Sequence, residues 1–209
     1  MKRMNELFRK APAAALALIV SLGLAGCSSY PEADTQGRPW QEEWTMLGGV
    51  VGVEDPGHGL VQSENPVVLT GSDTYYATWT LGEPESFVNE EGKETDLYDA
   101  QVYMLVYGND TRKGEDPAST LQDWMDREKQ YYQILEEREI SVGDLTYTVL
   151  DYNVLSDSNP YSRGASAFAC LGNYSINVEF SERDTCSEDP AEVLADFLAA
   201  CHYSAEIGR

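Results

Sequence analysis

One segment in the middle of the chain is apolar on both sides when it is laid out as a β-strand. Asp96 to Tyr107 reads DLYDAQVYMLVY, in which Val102 and Met104 share one face and Tyr103 and Leu105 share the other. A strand of this kind is covered on both faces. The pattern therefore predicts a sheet with this strand in its interior and with other elements packed against both sides.

Several further segments have the composition and alternation of strands. Thr74 to Leu81 is predicted to pair with Asp96 to Tyr107 as a long hairpin around the charged loop Glu83 to Thr95. The turn Gly172-Asn173 predicts a second hairpin. The other predicted strands are Val67 to Thr70, Glu139 to Val142, Leu145 to Val154, Ser162 to Leu171 and Tyr174 to Ser181, and an apolar stretch with glycines, Trp44 to Val53, precedes them all.

Two helices are predicted between and after these strands. The first runs from Pro117 to Glu137, with Asp116 as its N-cap and apolar residues at helical spacing. The second begins at Asp189-Pro190 and runs to about Cys201. The expected fold is an α+β domain, in which a long central helix and a C-terminal helix pack on a largely antiparallel sheet.

This order of elements resembles the PsbP-like α/β/α sandwich over most of residues 44 to 204. The resemblance implies an extrinsic, non-enzymatic binding or accessory protein. The stretches YYATW, DLYDAQ, NPYSRGASAF and FLAACHYSA are also similar to stretches in a wider set of uncharacterised surface lipoproteins of bacteria. That second similarity implies a location, and no activity comes with it.

The first 26 residues have the composition of an export signal. Four basic residues before position 11 are followed by the apolar run Ala13 to Leu24. At about 1.5 Å per residue this run would extend about 18 Å as a helix, which is short of the ~30 Å hydrocarbon core of a bilayer. The pattern predicts a cleaved signal peptide and not a membrane-spanning helix.

Leu24-Ala25-Gly26-Cys27 ends this leader and resembles the lipobox of bacterial lipoproteins. The resemblance implies that cleavage falls between Gly26 and Cys27, and that the Cys27 thiol carries diacylglycerol with fatty acyl chains such as palmitate. Two acyl chains give lasting attachment, whereas a single chain binds only marginally. The mature protein is therefore expected at the cell membrane, lipid-anchored and facing the extracytoplasmic side.

The chain is expected to have three parts: a signal peptide at 1–26, the lipidated cysteine and a flexible tether at 27–43, and a single α+β domain at 44–209. The whole chain has 14 basic and 36 acidic residues, of which the leader holds four and one, so cleavage leaves 10 and 35 and a formal charge of −25. A surface with this much negative charge repels nucleic acid and anionic lipid headgroups.

Three cysteines follow Cys27 in the chain: Cys170, Cys186 and Cys201. Outside the cytoplasm this odd number is compatible with one disulfide and one free thiol, or with no disulfide. The expected run of strands and helix places Cys170 and Cys201 at the same end of the sheet, whereas Cys186 is most of a helix away. Cys170 with Cys201 is thus the best candidate pair, and buried free thiols are the alternative.

No catalytic or metal-binding motif is present. The sequence lacks G-x-S-x-G, H-E-x-x-H, C-x-x-C, a P-loop and G-x-G-x-x-G. His58 lies in a predicted turn, and His202 is expected to be partly exposed near a helix C-terminus. Neither Asn89 to Asp96 nor Asp151 to Asp157 has the ligand spacing of an EF-hand. We expect no metal and no cofactor, and a carboxylate pair is the main enzymatic option.

Arg163, Tyr161 and Tyr152 are the candidate ligand contacts. Arg163 is one of few cations in an anionic domain and stands between a loop and a predicted inner strand. It is expected either to form an internal ion pair or to contact an anionic group of a ligand. Tyr152 and Tyr161 flank the same loop, and Trp40 and Trp44 stand beside the tether, so either pair could form a stacking platform for a peptide or a sugar.

These observations favour a lipid-anchored extracytoplasmic lipoprotein that acts as a non-catalytic binding or accessory module. Its expected partners are membrane lipid, through acylated Cys27, and an envelope protein, peptide or glycan, with no nucleic acid. Two alternatives stay open: a surface hydrolase that uses a carboxylate pair, and a structural factor in envelope assembly. A cleft with two acidic side chains, one of them desolvated, would favour the hydrolase.

Overall fold

The computed structural model describes residues 34, 36, 38–63, 66–69, 73–88, 92–156, 158–205 and 207. The predicted signal peptide, its cleavage site at Gly26 and the predicted lipidation site at Cys27 lie outside the described residues. No helix among the residues described is both long enough and apolar enough to cross a membrane.

Most of the described chain is β-structure. In chain order the strands are β1 (Thr45–Leu47), β2 (Val51–Val53), β3 (Val61–Gln62), β4 (Val67–Val68), β5 (Thr74–Leu81), β6 (Glu85–Val88), β7 (Glu94–Leu97), β8 (Ala100–Gly108), β9 (Tyr132–Val142), β10 (Leu145–Val154), β11 (Arg163–Leu171), β12 (Tyr174–Glu182) and β13 (Cys201–Tyr203). The helices are α1 (Pro117–Tyr131) and α2 (Pro190–Ala199), and Thr111–Lys113 forms one turn of 3-10 helix.

The eight-stranded main sheet has the order β3-β5-β8-β12-β11-β10-β9, and β4 also pairs with β5. All of its pairings are antiparallel. Strand β8 lies between β5 and β12, so the interior position predicted from its two apolar faces is confirmed. The fold is the predicted α+β class, with a largely antiparallel sheet and helices packed on it.

The two faces of the main sheet carry cores of unequal size. One face packs against α2, and its core includes Met104, Val149 and Phe197. The other face packs against α1 around a much smaller buried cluster of Leu121, Leu150 and Phe168. The helix α1 therefore rests on few apolar contacts, and polar side chains occupy the space beside them.

The first helix is shorter than predicted. It ends at Tyr131, and the residues from Tyr132 to Val142 form strand β9 instead of a helical end followed by a short strand. From Arg138 to Val142 the side chains alternate between half-buried and exposed, and β9 pairs with β10 in an antiparallel register that is interrupted only at Leu135. Tertiary pairing along the edge of the sheet thus outweighs the helical spacing of Tyr132 and Leu135, since propensity is a weak prior.

The predicted hairpin of β5 and β8 is confirmed, with differences at its end. The two strands are antiparallel neighbours, but β8 begins at Ala100 and not at Asp96. The predicted loop between them contains a small hairpin of β6 with β7. At the C-terminus α2 ends at Ala199, and Cys201 to Tyr203 form a strand, so the second helix is also shorter than predicted.

A second, three-stranded sheet of β1, β2 and β13 brings the segment before residue 44 onto the domain. Asp34 bridges to Ser204 and is 1% exposed. Its carboxylate accepts the backbone N–H groups of Gln36 and Arg38 at 2.9 and 2.8 Å and the Arg38 Nε–H at 2.8 Å. The prediction of a flexible tether up to residue 43 is therefore wrong for this part of the chain, which packs on the domain.

His202 is buried against this docked segment, and not partly exposed as predicted. Its ring stacks on Trp44 with centroids 3.8 Å apart. Nδ1 lies 3.2 Å from Asp34, and Nε2 lies 3.2 Å from a Glu54 carboxylate oxygen without the geometry of a hydrogen bond. Trp40 meets Trp44 edge to face at 5.7 Å. Both tryptophans thus hold the docked segment in place, which contradicts the open stacking platform expected for them.

Replacing Asp34 by Ala is expected to destabilise the protein by about 2 kcal/mol, because a buried polar group left unpaired costs about 1–3 kcal/mol. Burial alone would raise the pKa of Asp34, but the N–H groups and the charge of Arg38, with the Gln36 N–H, lower it. Denaturant unfolding at pH 7 measures the loss. The exposed control Glu43→Ala is expected within ~0.5 kcal/mol of wild type; equal stability of both variants would contradict the docking role of Asp34.

Candidate functional site

A groove of about 390 Å³ opens at the end of the main sheet where β10 and β12 finish and β11 begins. We call it the end groove. It is lined by Val154, Ser156, Asn159, Pro160, Tyr161, Ser162, Arg183, Asp184 and Thr185. Among the lining residues only Arg183 and Asp184 are charged.

Backbone hydrogen bonds hold the walls of the end groove in place. The Asn159 side chain accepts the Tyr161 N–H at 3.0 Å, which makes the turn through Pro160. The Ser162 N–H donates to the Glu182 carbonyl at 2.8 Å, and the Ser162 carbonyl accepts from the Val154 N–H at 2.7 Å. The loop is therefore attached to strands on both of its sides, so the groove is preformed.

Tyr161 is the one predicted ligand contact that lines the end groove. Its ring is 4% exposed, and burial raises the pKa of the phenol to about 12. The hydroxyl is therefore neutral at physiological pH and can act only as a hydrogen-bonding group. Arg183, across the groove, is 22% exposed and lies 2.9 Å from a Glu85 carboxylate oxygen.

Arg163 forms the internal ion pair that the sequence left open. Its Nε donates to the fully buried carboxylate of Glu182, and its Nη2 donates to the Glu188 carbonyl at 3.2 Å. The guanidinium is outside the lining of the end groove. A buried carboxylate needs a charged partner of this kind, so Arg163 stabilises the end of β12.

Tyr152 is 1% exposed, so the structure does not place it as a ligand contact. It lies on the α1 face of the sheet, where its ring stacks on Tyr132 at 4.1 Å and its hydroxyl donates to Glu179 Oε1 at 2.8 Å. Together with Glu128 and Ser166 these residues make a buried polar group that we call the tyrosine–carboxylate cluster. The sequence placed Tyr152 beside the loop, but it did not show which face of the sheet Tyr152 lies on.

The tyrosine–carboxylate cluster contains two acidic side chains, Glu128 from α1 and Glu179 from β12. Burial, and then the negative charge of Glu179, raise the pKa of Glu128 well above its usual 4.5, against the effect of Ser166. Glu179 Oε1 also accepts from the hydroxyls of Tyr132 at 3.3 Å and Ser181 at 3.2 Å. The pair resembles the acidic pair of the hydrolase alternative in chemistry, with one desolvated member.

Access distinguishes this pair from an active site. Glu128 Oε2 is shielded from solvent, and Glu179 Oε1 is occupied by three hydroxyl donors. A glycosidase needs both carboxyl groups open to the sugar between them. The pair is not visible in the sequence because its members are far apart in the chain. The signal was the polar side of β12, where Ser175, Asn177, Glu179 and Ser181 alternate with apolar residues.

The predicted disulfide between Cys170 and Cys201 is absent, and both thiols are free, as is Cys186. Cys170 packs with Leu121 and Phe168 on the α1 face, whereas Cys201 belongs to the core on the α2 face. Layers packed on a sheet are about 10 Å apart, beyond the ~7 Å limit on the Cα separation of a bridge. The sequence placed the two cysteines at the same end of the sheet, but it did not show that they lie on opposite faces.

His58 connects the turn before β3 to α2. Its Nε2 lies 2.9 Å from Asp196 and its Nδ1 lies 3.2 Å from Glu188. The hydrogen bond with Asp196 has the largest effect and raises the pKa of His58, burial opposes it, and Glu188 adds to the increase. The described part of the chain has no group of three or more His, Cys, Asp or Glu side chains arranged to hold a metal ion.

No protein-family model and no curated protein matches the chain. The structure is similar to the solution structure of cyanobacterial PsbP from Synechocystis sp. PCC 6803, with 12% identity and a TM-score of 0.39 over 87% of this chain and 98% of that chain. A protein of unknown function from Pseudomonas aeruginosa matches with 7% identity and a TM-score of 0.31 over 49% of this chain and 85% of that one. PsbP is the family that the element order resembles, and likenesses this low carry nothing about activity.

Replacing His58 by Gln is expected to reduce stability at low pH more than at high pH. Because the pKa is raised in the folded state, the contribution of His58 is complete below its ordinary pKa of ~6.5 and is lost as pH rises through the raised value. Glu188 and Asp196 are 37% and 59% exposed, so the contribution is below about 1 kcal/mol. Denaturation midpoints at pH 5.5 and pH 9 measure this contribution. An equal difference between variant and wild type at both pH values would contradict the stabilising role of the protonated His58.

Proposed function

We propose that this chain is a lipid-anchored extracytoplasmic protein that binds a polar ligand, a peptide or a glycan, in the end groove without chemical conversion. The observation that carries the binding part is the preformed groove beside Tyr161, with Arg183 and Asp184 as its charged groups. The anchoring part rests on the leader and on the lipobox resemblance of Leu24 to Cys27.

The docked segment limits how far the domain stands from the proposed anchor. Asp34 is seven positions after Cys27. Seven residues span at most about 25 Å when fully extended. Because Asp34 is held by Arg38 and His202, the domain would stay close to the membrane surface.

The same docking gives the domain an orientation relative to the membrane. Gln36 lies beside Gly143, in the turn where β10 begins. The end groove lies at the other end of β10, which has ten residues. At about 3.3 Å per residue the two sites are roughly 30 Å apart along the sheet. The end groove would therefore face away from the bilayer, toward ligands in the surrounding space.

The chemistry of the end groove supports binding in preference to catalysis. Its lining offers hydroxyl, amide and backbone groups with one cation and one carboxylate. Groups of this kind recognise polar ligands by hydrogen bonds. The acidic pair that a hydrolase would use lies apart from the groove, in the shielded tyrosine–carboxylate cluster.

The anchor predicts that Cys27 is acylated in cells. Bacteria that express the full chain and are fed an alkyne analogue of palmitate are expected to label the wild-type protein and not Cys27→Ala, since the thiol is the acceptor. The control Cys186→Ala removes another cysteine and is expected to label like wild type. An unlabelled wild-type protein, or a labelled Cys27→Ala variant, would overturn the proposed anchoring without bearing on the groove.

The binding site predicts that a bulky residue at the rim of the end groove blocks ligand. Ser156 is an exposed lining residue, and Ser141 is an exposed serine at the far end of the sheet, near Gly143. Arrays of peptides and glycans probed with the full chain are expected to yield binders that Ser156→Trp loses by tenfold or more and Ser141→Trp retains. Binders that tolerate Ser156→Trp would place the ligand site elsewhere.

A further inference from the structure

The tyrosine–carboxylate cluster leaves two buried polar atoms without a hydrogen-bond partner. These are Glu128 Oε2 and Ser166 Oγ, and both are shielded from solvent. Ser166 Oγ lies beside the Glu128 carboxyl without the geometry of a hydrogen bond. Buried polar atoms are nearly always paired, so an unpaired carboxylate oxygen at this place needs a physical explanation.

The charge of Glu179 points the same way. Glu128 and Glu179 are close enough for the negative charge of Glu179 to act on Glu128. A carboxylate that loses its hydration beside a second negative charge is disfavoured in its ionised form. A proton or a cation at Glu128 would remove this cost.

The groups that face the pair do not supply that positive charge. They are neutral hydroxyls: Tyr103 from β8, Tyr132 from β9, Tyr152 from β10, Ser166 from β11 and Ser181 from β12. Burial raises the pKa values of all three tyrosines, and the charge of Glu179 raises them further, so they stay protonated. On α1 itself, the Lys129 ammonium lies 2.9 Å from a Glu137 carboxylate oxygen.

We propose that Glu128 and Glu179 share a single proton, and that this proton fastens α1 to the main sheet. The proton resides on the Glu128 carboxyl, and the Glu179 carboxyl accepts it in a hydrogen bond. Glu179 takes the acceptor role because it already accepts from the hydroxyls of Tyr132, Tyr152 and Ser181. Glu128, which has no such donors at Oε2, is the protonated member.

A metal ion would be the other way to supply positive charge, and the contacts favour the proton. The residues that the structure describes offer only two carboxylates here and no third His, Cys, Asp or Glu ligand. Glu179 Oε1 has three hydroxyl donors, which leaves it little capacity for a cation. Calcium takes six to eight oxygen ligands.

The shared proton makes the packing of α1 against the main sheet depend on pH. Deprotonation releases the proton to solvent and leaves two negative charges in the cluster, so α1 is repelled from a face on which its buried apolar cluster is small. Because the pKa of Glu128 is raised by folding, stability is complete below ~4.5 and decreases as pH rises through the raised value. Opening would uncover the tyrosine rings of the α1 face.

The test uses the full chain with Glu128→Gln, which imitates the protonated acid without a titrating group. For one proton, the wild-type folding equilibrium constant is expected to fall by up to about tenfold per pH unit over the pH range between the ordinary and the raised pKa of Glu128. Glu128→Gln is expected to lack this component and to be at least as stable as wild type at pH 8. The exposed control Glu139→Gln removes the same charge from β9 and is expected to keep the wild-type slope.

A second measurement follows the proton and the helix directly. Carbon-13 NMR of the glutamate carboxyl groups is expected to show one carboxyl that titrates well above the ordinary glutamate pKa, and hydrogen exchange in α1 is expected to accelerate at high pH in wild type and less in Glu128→Gln. Titration of every glutamate near its ordinary pKa would overturn the proposal. So would an increase in melting temperature with CaCl₂ or MgCl₂ that Glu128→Gln abolishes, since the site would then hold a metal.

Discussion

In the described part of the chain one face of the main sheet is covered by α2 together with the three-stranded sheet, and the other face is covered by α1. This difference determines most of what is unusual in the molecule. The α2 face is apolar on every central strand and closes over a large core that includes Met104 and Phe197. The α1 face has a small apolar cluster, so its polar side chains lie beneath the helix beside that cluster. The tyrosine–carboxylate cluster is the consequence: a helix that covers a mixed surface must accommodate carboxylates such as Glu128 and Glu179.

The docked N-terminal segment connects the fold to the proposed function. Asp34 and Trp44 both contact His202, so one buried imidazole joins the segment after the proposed anchor to the strand at the C-terminus. The segment enters at one end of the sheet and the end groove lies at the other. The proposed anchor and the proposed binding site would thus lie toward opposite ends of β10, so that each can be tested by mutation apart from the other.

Sequence patterns located the strands well because period-two alternation is a local property. The position of β8 and the hairpin of β11 and β12 followed from alternation and a Gly-Asn turn. The end of α1 did not follow from the sequence, because Tyr132 and Leu135 fit a helical period as well as a strand. Pairing with β10 decided in favour of the strand. Of the candidate ligand contacts, Tyr161 lies in the groove, while Tyr152 faces the helix side and Arg163 binds Glu182.

The sequence by itself determined the α+β class, the strong negative charge and the leader whose lipobox resemblance suggests an anchor, since each is written in neighbouring residues. Only the tertiary structure decided which side chains meet across the sheet. Cys170 and Cys201 are kept on opposite faces, Asp34 is brought to His202, and Glu128 is brought to Glu179. The physical reason is that alternation along a strand tells which residues share a face, whereas desolvation and pairing depend on what covers that face.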